Sequence, residues 1–138
     1  MNFVEQCLYD YKTNVASISV MKEELSSLKS VHCQKYDAHA VNGVSDPVFD
    51  VTVRTIALER RITKTEKRTK PVEKLRADLF GSDYRYQHMR EILDLKYINH
   101  ECNREVLRKM AVSERTFRRR KRELLELAGR YFREAKGE

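Results

Sequence analysis

Six of the eight residues from Arg115 to Arg122 are cationic: Arg115, Arg118, Arg119, Arg120, Lys121 and Arg122. A guanidinium group is a planar fork of donors. It suits bidentate contact with the O6/N7 edge of guanine. Glu114 adds an acceptor suited to the cytosine N4 amine. On a helix turning about 100° per residue, Glu114, Arg115, Arg118, Arg119 and Arg122 share one outward face. Arg120 and Lys121 lie further round and read as phosphate contacts, which position a protein on a duplex without reading sequence. Ser113, Glu114 and Arg115 fall at the N-terminal tip, where base edges are reached. The chemistry suggested is recognition of double-stranded DNA.

Such a face works only if neighbouring elements hold its helix. Val106, Leu107 and Met110 give residues 103–110 the buried side of a short helix. Ala111-Val112 reads as a tight turn with Val112 directed inward. Ser113 has the hydroxyl needed to cap the next helix. Phe117, Leu124, Leu127 and Tyr131, at steps of 7, 3 and 4, continue an inward face along residues 114–135. A short helix, a three-residue turn and a second helix are the parts of a helix-turn-helix.

Upstream, Leu8, Tyr11, Val15, Ile18, Met21 (or Val20), Leu25 and Leu28 recur at close to heptad spacing, with no Gly or Pro between Asn2 and Ser30. They predict one long amphipathic helix, ~40 Å at 1.5 Å per residue. Its narrow seam has two possible partners: the next helix of the same chain, or a second copy in a homodimer. Residues 31–45 lack a helical period, carry Asn42-Gly43 and are expected to form a loop. Asp46 and Pro47 then suit a helix cap and first helical position. Val48, Val51, Thr55, Leu58 and Ile62 line one face of a second helix to about Lys67, expected to fold back antiparallel on the first.

The polar run TKTEKRTKP, residues 63–71, ends in Pro71 and suggests a domain boundary, either a solvated linker or one adding nonspecific phosphate contact. A short helix, 72–80, should stop at Gly81. Ser82 or Asp83 should cap a helix to about Ile98, with Met89, Ile92, Leu93 and Leu95 as its apolar surface. The expected architecture is all-α. An N-terminal helical pair (1–66) and a basic linker with a short helix (67–83) lead to a DNA-binding helix-turn-helix domain (84–138).

Composition agrees with this picture. The 138 residues include only 4 Gly and 2 Pro, too few turn signals for a strand-rich fold. The formal net charge is +7. Residues 1–30 sum to −1, whereas residues 103–138 carry twelve Lys+Arg against six Glu, a net of +6. A basic end of this kind attracts polyanions. Cys7, Cys33 and Cys102 are unpaired in spacing and predict reduced thiols. No leader or membrane span is expected, which points to a cytoplasmic protein. His32, Cys33 and His39, or His100 and Cys102, lack the clustered spacing of zinc ligands, so neither metal nor cofactor is expected. No nucleophile motif, phosphate loop or carboxylate pair suggests an enzyme.

The stretch VLRKMAVSERTFRRRKRELLELA, residues 106–128, resembles the sigma-factor region 4 type of helix-turn-helix. With the long first helix, SDPV, LERRI and LDLKYI, most of the chain resembles the RinA/ArpU group of phage-encoded transcriptional regulators from Gram-positive hosts. Leu107 stands where such motifs usually have a small residue, and Ala111 where Gly is common. The resemblance implies activation of phage late genes for packaging or lysis, in a bacterial host cell and in contact with RNA polymerase. It also implies recognition through Ser113, Glu114, Arg115, Arg118, Arg119 and Arg122. Two other functions fit the same features: a small terminase-type packaging subunit, and a basic helical adaptor for an acidic partner or RNA.

Overall fold

Asn2 starts the first helix. Its side-chain oxygen accepts the Glu5 amide at 2.8 Å and its carbonyl accepts the Gln6 amide at 3.0 Å, satisfying donors that a helix start leaves free. The computed structural model describes residues 2–38, 47–81 and 86–137, with side chains described outside 31–49. Every regular element among these residues is helical. Helices α1 (Phe3–Ala38) and α2 (Pro47–Phe80) precede α3 (Gln87–Ile92), which runs directly into a π-helical turn, Leu93–Ile98. Helices α4 (Asn103–Met110) and α5 (Glu114–Gly137) follow.

Helix α1 continues eight residues beyond the expected end at Ser30, so 31–38 are helical rather than loop. Those residues contain no Gly or Pro, and without a breaker a helix outlasts its apolar period. The rest of the expected loop and the Asp46 cap lie outside the described residues. Pro47 does occupy the first position of α2. The Ser82/Asp83 cap also lies outside the described residues.

Pro71 does not end a helix, contrary to the sequence expectation; α2 runs through it. A proline there removes the amide that would bond the Lys67 carbonyl, at a cost of ~3 kcal/mol. The residues around it repay that cost, because Val72 and Leu75 are fully buried and Leu79 nearly so. Each such side chain contributes about 1.5–3 kcal/mol on leaving water. Residues 67–80 are therefore core-forming helix and not a linker. Gly81 follows without left-handed backbone, its amide donating to Ala77 at 3.1 Å.

The chain forms two compact units: residues 15–66, and residues 1–14 together with 67–138. In the first, Met21 of α1 is buried with Leu58 and Ile62 of α2, flanked by Ile18, Leu25 and Leu28. Lys22–Glu66 at 3.3 Å and Lys29–Glu59 at 3.9 Å run in opposite order along the two helices, so they are antiparallel. This part of the seam meets its own chain, while Val20 stays 62% exposed. In the second unit, Cys7 and Leu8 of α1 join the core of α2, the π turn, α4 and α5. The first fourteen residues thus belong with the candidate DNA-binding unit, not with the hairpin that the seam suggested. The seam continues through both units, so spacing alone could not divide it.

Between α4 and α5, Ala111 is left-handed at φ 54°, ψ 44°, and its amide donates to Leu107 at 2.9 Å. An L-residue pays about 1–2 kcal/mol for that conformation, and glycine pays none of it. Ala111→Gly should raise stability by about 0.5–1 kcal/mol after the added unfolded-chain entropy is deducted. Urea unfolding followed by circular dichroism would read this as a higher midpoint with unchanged slope.

Candidate nucleic-acid interface

The α4–turn–α5 segment begins with a short helix whose Val106 is fully buried, with Leu107, Met110 and Val112 packed beside it. The Ser113 hydroxyl accepts the Thr116 amide at 3.2 Å, and its carbonyl accepts the Phe117 amide at 2.9 Å. The expected cap is formed. Phe117 and Leu124 are buried, as their spacing implied. Further along α5 the buried positions are Ala128 and Phe132, with Leu127 and Tyr131 at the margin of the core. The stripe thus reads 117, 124, 128 and 132.

Position 121 lies inside that stripe, four residues after Phe117 and three before Leu124. Lys121 is accordingly drawn inward, its Nζ lying 3.4 Å from Glu5 Oε1 on α1. Arg120 is half-buried, and its Nη1 is buried without a hydrogen-bond partner among the described residues. Both side chains are thus less exposed than the rest of the expected site, Lys121 with 29% of its side chain open to solvent and paired with Glu5. The apolar spacing of 4 and 3 around position 121 was the available signal.

The other six residues of the expected site, Ser113, Glu114, Arg115, Arg118, Arg119 and Arg122, are exposed. Arg118 is tied to Glu114 one turn earlier at 2.5 Å. No ion pair involves Arg115, Arg119 or Arg122 among the described residues. At spacings of 4 and 3 they lie along one side of α5, opposite the buried stripe. The result is a cationic ridge on a helix whose other side is held in a core.

Three residues behind the ridge escaped the sequence reading: Glu5, Lys96 and Tyr97. The π turn carries the last two. Lys96 is only 5% exposed, donates to Asn103 Oδ1 at 2.6 Å, and lies 5.5 Å from the Phe117 ring centroid. It thereby joins the π turn to the first residue of α4 and to α5. Burial, and then the nearby Lys121, push its ammonium below the ordinary lysine pKa. Tyr97 is fully buried and donates to Glu5 Oε1 at 3.0 Å. A charged lysine within the run LDLKYI was the one hint, since helical spacing puts it among buried neighbours.

Burial, followed by Glu5 and Tyr9, raises the Tyr97 pKa well above its ordinary value. Burial and the Asp78 hydrogen bond push Tyr131 up to about 12. With a raised folded pKa, each tyrosine holds its proton longer in the folded chain than in the unfolded one. Their stabilisation is complete below about pH 10 and is lost as pH rises through the folded values. Lys96 has the opposite sign, because the folded chain releases its proton first, and stability recovers from that source towards about pH 10.5. Thermal melts should therefore show a falling midpoint above about pH 10. Tyr97→Phe should melt lower at neutral pH yet show a shallower alkaline fall; an equally steep fall would remove Tyr97 as a cause. No family model, curated protein or solved structure matches this chain.

Proposed function

We propose that this chain is a sequence-specific double-stranded-DNA-binding regulator, with α5 as the helix that enters the major groove. The observation that carries this reading is the two-sidedness of α5. Phe117, Leu124, Ala128 and Phe132 are buried on one side, and Arg115, Arg119 and Arg122 are exposed without ion pairs among the described residues on the other. The Ser113 cap sets the start of the helix, so Ser113, Glu114 and Arg115 form its leading tip. In this mechanism the cationic ridge displaces counterions from phosphates, making affinity fall steeply with salt. Arginines that reach base edges then select sequence. Arg118 reads a base only after leaving Glu114, a cost that favours sites offering a strong acceptor.

The resemblance of residues 106–128 extends the proposal to activation of phage late genes. Activation requires contact with RNA polymerase, and a homodimer would match paired half-sites.

Gel-shift titration against DNA upstream of the chain's own gene cluster, with random DNA as competitor, tests this. The cluster DNA should bind more tightly at every salt concentration. Arg119→Ala should erode discrimination by about 1–3 kcal/mol if Arg119 reads a base. Equal affinity for all DNA across the salt series would overturn sequence-specific regulation. A ring of many subunits by light scattering would favour a packaging subunit instead. A promoter–reporter assay would show whether binding activates.

A further inference from the structure

Glu5 occupies the third position of α1, three residues after the Asn2 cap. A glutamate there commonly folds back onto the cap residue's own amide. Here its carboxylate points inward, with its side chain 13% exposed. Oε1 accepts the Tyr97 hydroxyl at 3.0 Å and lies 3.4 Å from Lys121 Nζ. Lys121 is close enough to Lys96 to help push the Lys96 ammonium below its ordinary range, after burial. Among the described residues, Glu5 is the acid that pairs with Lys121.

Lys121 shares a turn of α5 with Arg118, Arg119 and Arg122. It also interrupts the apolar stripe between Phe117 and Leu124. With 29% of its side chain already exposed, a Lys121 without a counter-charge would move its ammonium towards water and draw its stem out of the stripe, leaving the rotation of α5 less firmly held. Rotation by ~10° at a side-chain radius of about 5–6 Å moves a guanidinium by ~1 Å. That displacement exceeds the window of about 0.5 Å within which N–H···O bonds form.

We propose that Glu5 is a positioning residue for the recognition helix: by neutralising the partly exposed Lys121 at the margin of the buried stripe it fixes the rotation of α5, and so which base edges the arginines meet. The proposal rests on the DNA-binding reading above. It assigns the first turn of α1 a part in specificity.

The sign of one substitution separates this from plain electrostatics. Glu5→Gln keeps an acceptor for Tyr97 and removes only the charge. If Glu5 were merely a negative charge near a DNA-binding surface, its removal would strengthen binding to every sequence alike. A positioning role predicts a roughly tenfold fall in the ratio of cluster-DNA to random-DNA affinity, with random-DNA affinity unchanged or higher. Glu5→Gln combined with Lys121→Met, which fills the stripe without needing a counter-charge, should restore the ratio. Hydrogen exchange of the 118–124 amides in the full-length chain without DNA should quicken in Glu5→Gln and return in the double variant.

An unchanged ratio with unchanged exchange in Glu5→Gln overturns the proposal. Should Glu5→Gln not fold, the double variant must fold and keep the wild-type ratio; loss of the ratio there overturns it equally. If the wild type prefers no sequence, the regulatory reading fails, and the exchange measurement alone decides whether Glu5 holds α5.

Discussion

The arginines of α5 gain a direction only because the far side of the same helix is buried. Phe117, Leu124, Ala128 and Phe132 enter a core shared with the first turns of α1, the second half of α2 and the π turn. Burial of the three larger side chains alone amounts to about 5–9 kcal/mol before the entropy of ordering them is deducted. A cationic ridge without that anchor would be a solvated basic helix with no fixed direction. The caps act in the same direction. Ser113 fixes where the helix starts, and left-handed Ala111 turns the chain sharply enough for α4 to end beside it.

The core behind the ridge is unusual in admitting charge. Lys96 and Lys121 lie close together with one carboxylate, Glu5, between helices distant in sequence. Of the three, only Lys96 is buried, so losing Glu5 would leave its desolvated ammonium without a nearby opposite charge. Tyr97 adds a hydroxyl to the same oxygen, and Asn103 accepts from Lys96 at the start of α4. The α4–turn–α5 segment is thus joined to α1 by polar contacts as well as apolar ones. Polar contacts are the more directional of the two.

The two compact units follow from how the helices are shared. Both α1 and α2 contribute to each unit, so the break between units falls within continuous helices rather than at a linker. Pro71 illustrates how this is possible. One missing backbone bond costs less than the burial of Val72, Leu75 and Leu79 returns, and the helix continues.

Residue type and spacing were enough to determine the all-helical class, the limits of α4, the Ser113 cap, and the exposure of six of the eight residues expected in the candidate interface. These depend on interactions within a few residues, where a fixed helical period and a hydroxyl before an acidic first turn carry the information. Tertiary structure decided the rest. Lys121 looked like a further surface cation, since a cation's place on a helix does not reveal a carboxylate arriving from residue 5. Pro71 looked like a boundary, since local propensity does not register how much apolar surface lies downstream to be buried. The seam from Leu8 to Leu28 looked like one element's single face. Only the three-dimensional contacts divide it, giving Leu8 to the unit that holds α5 and Met21 to the hairpin.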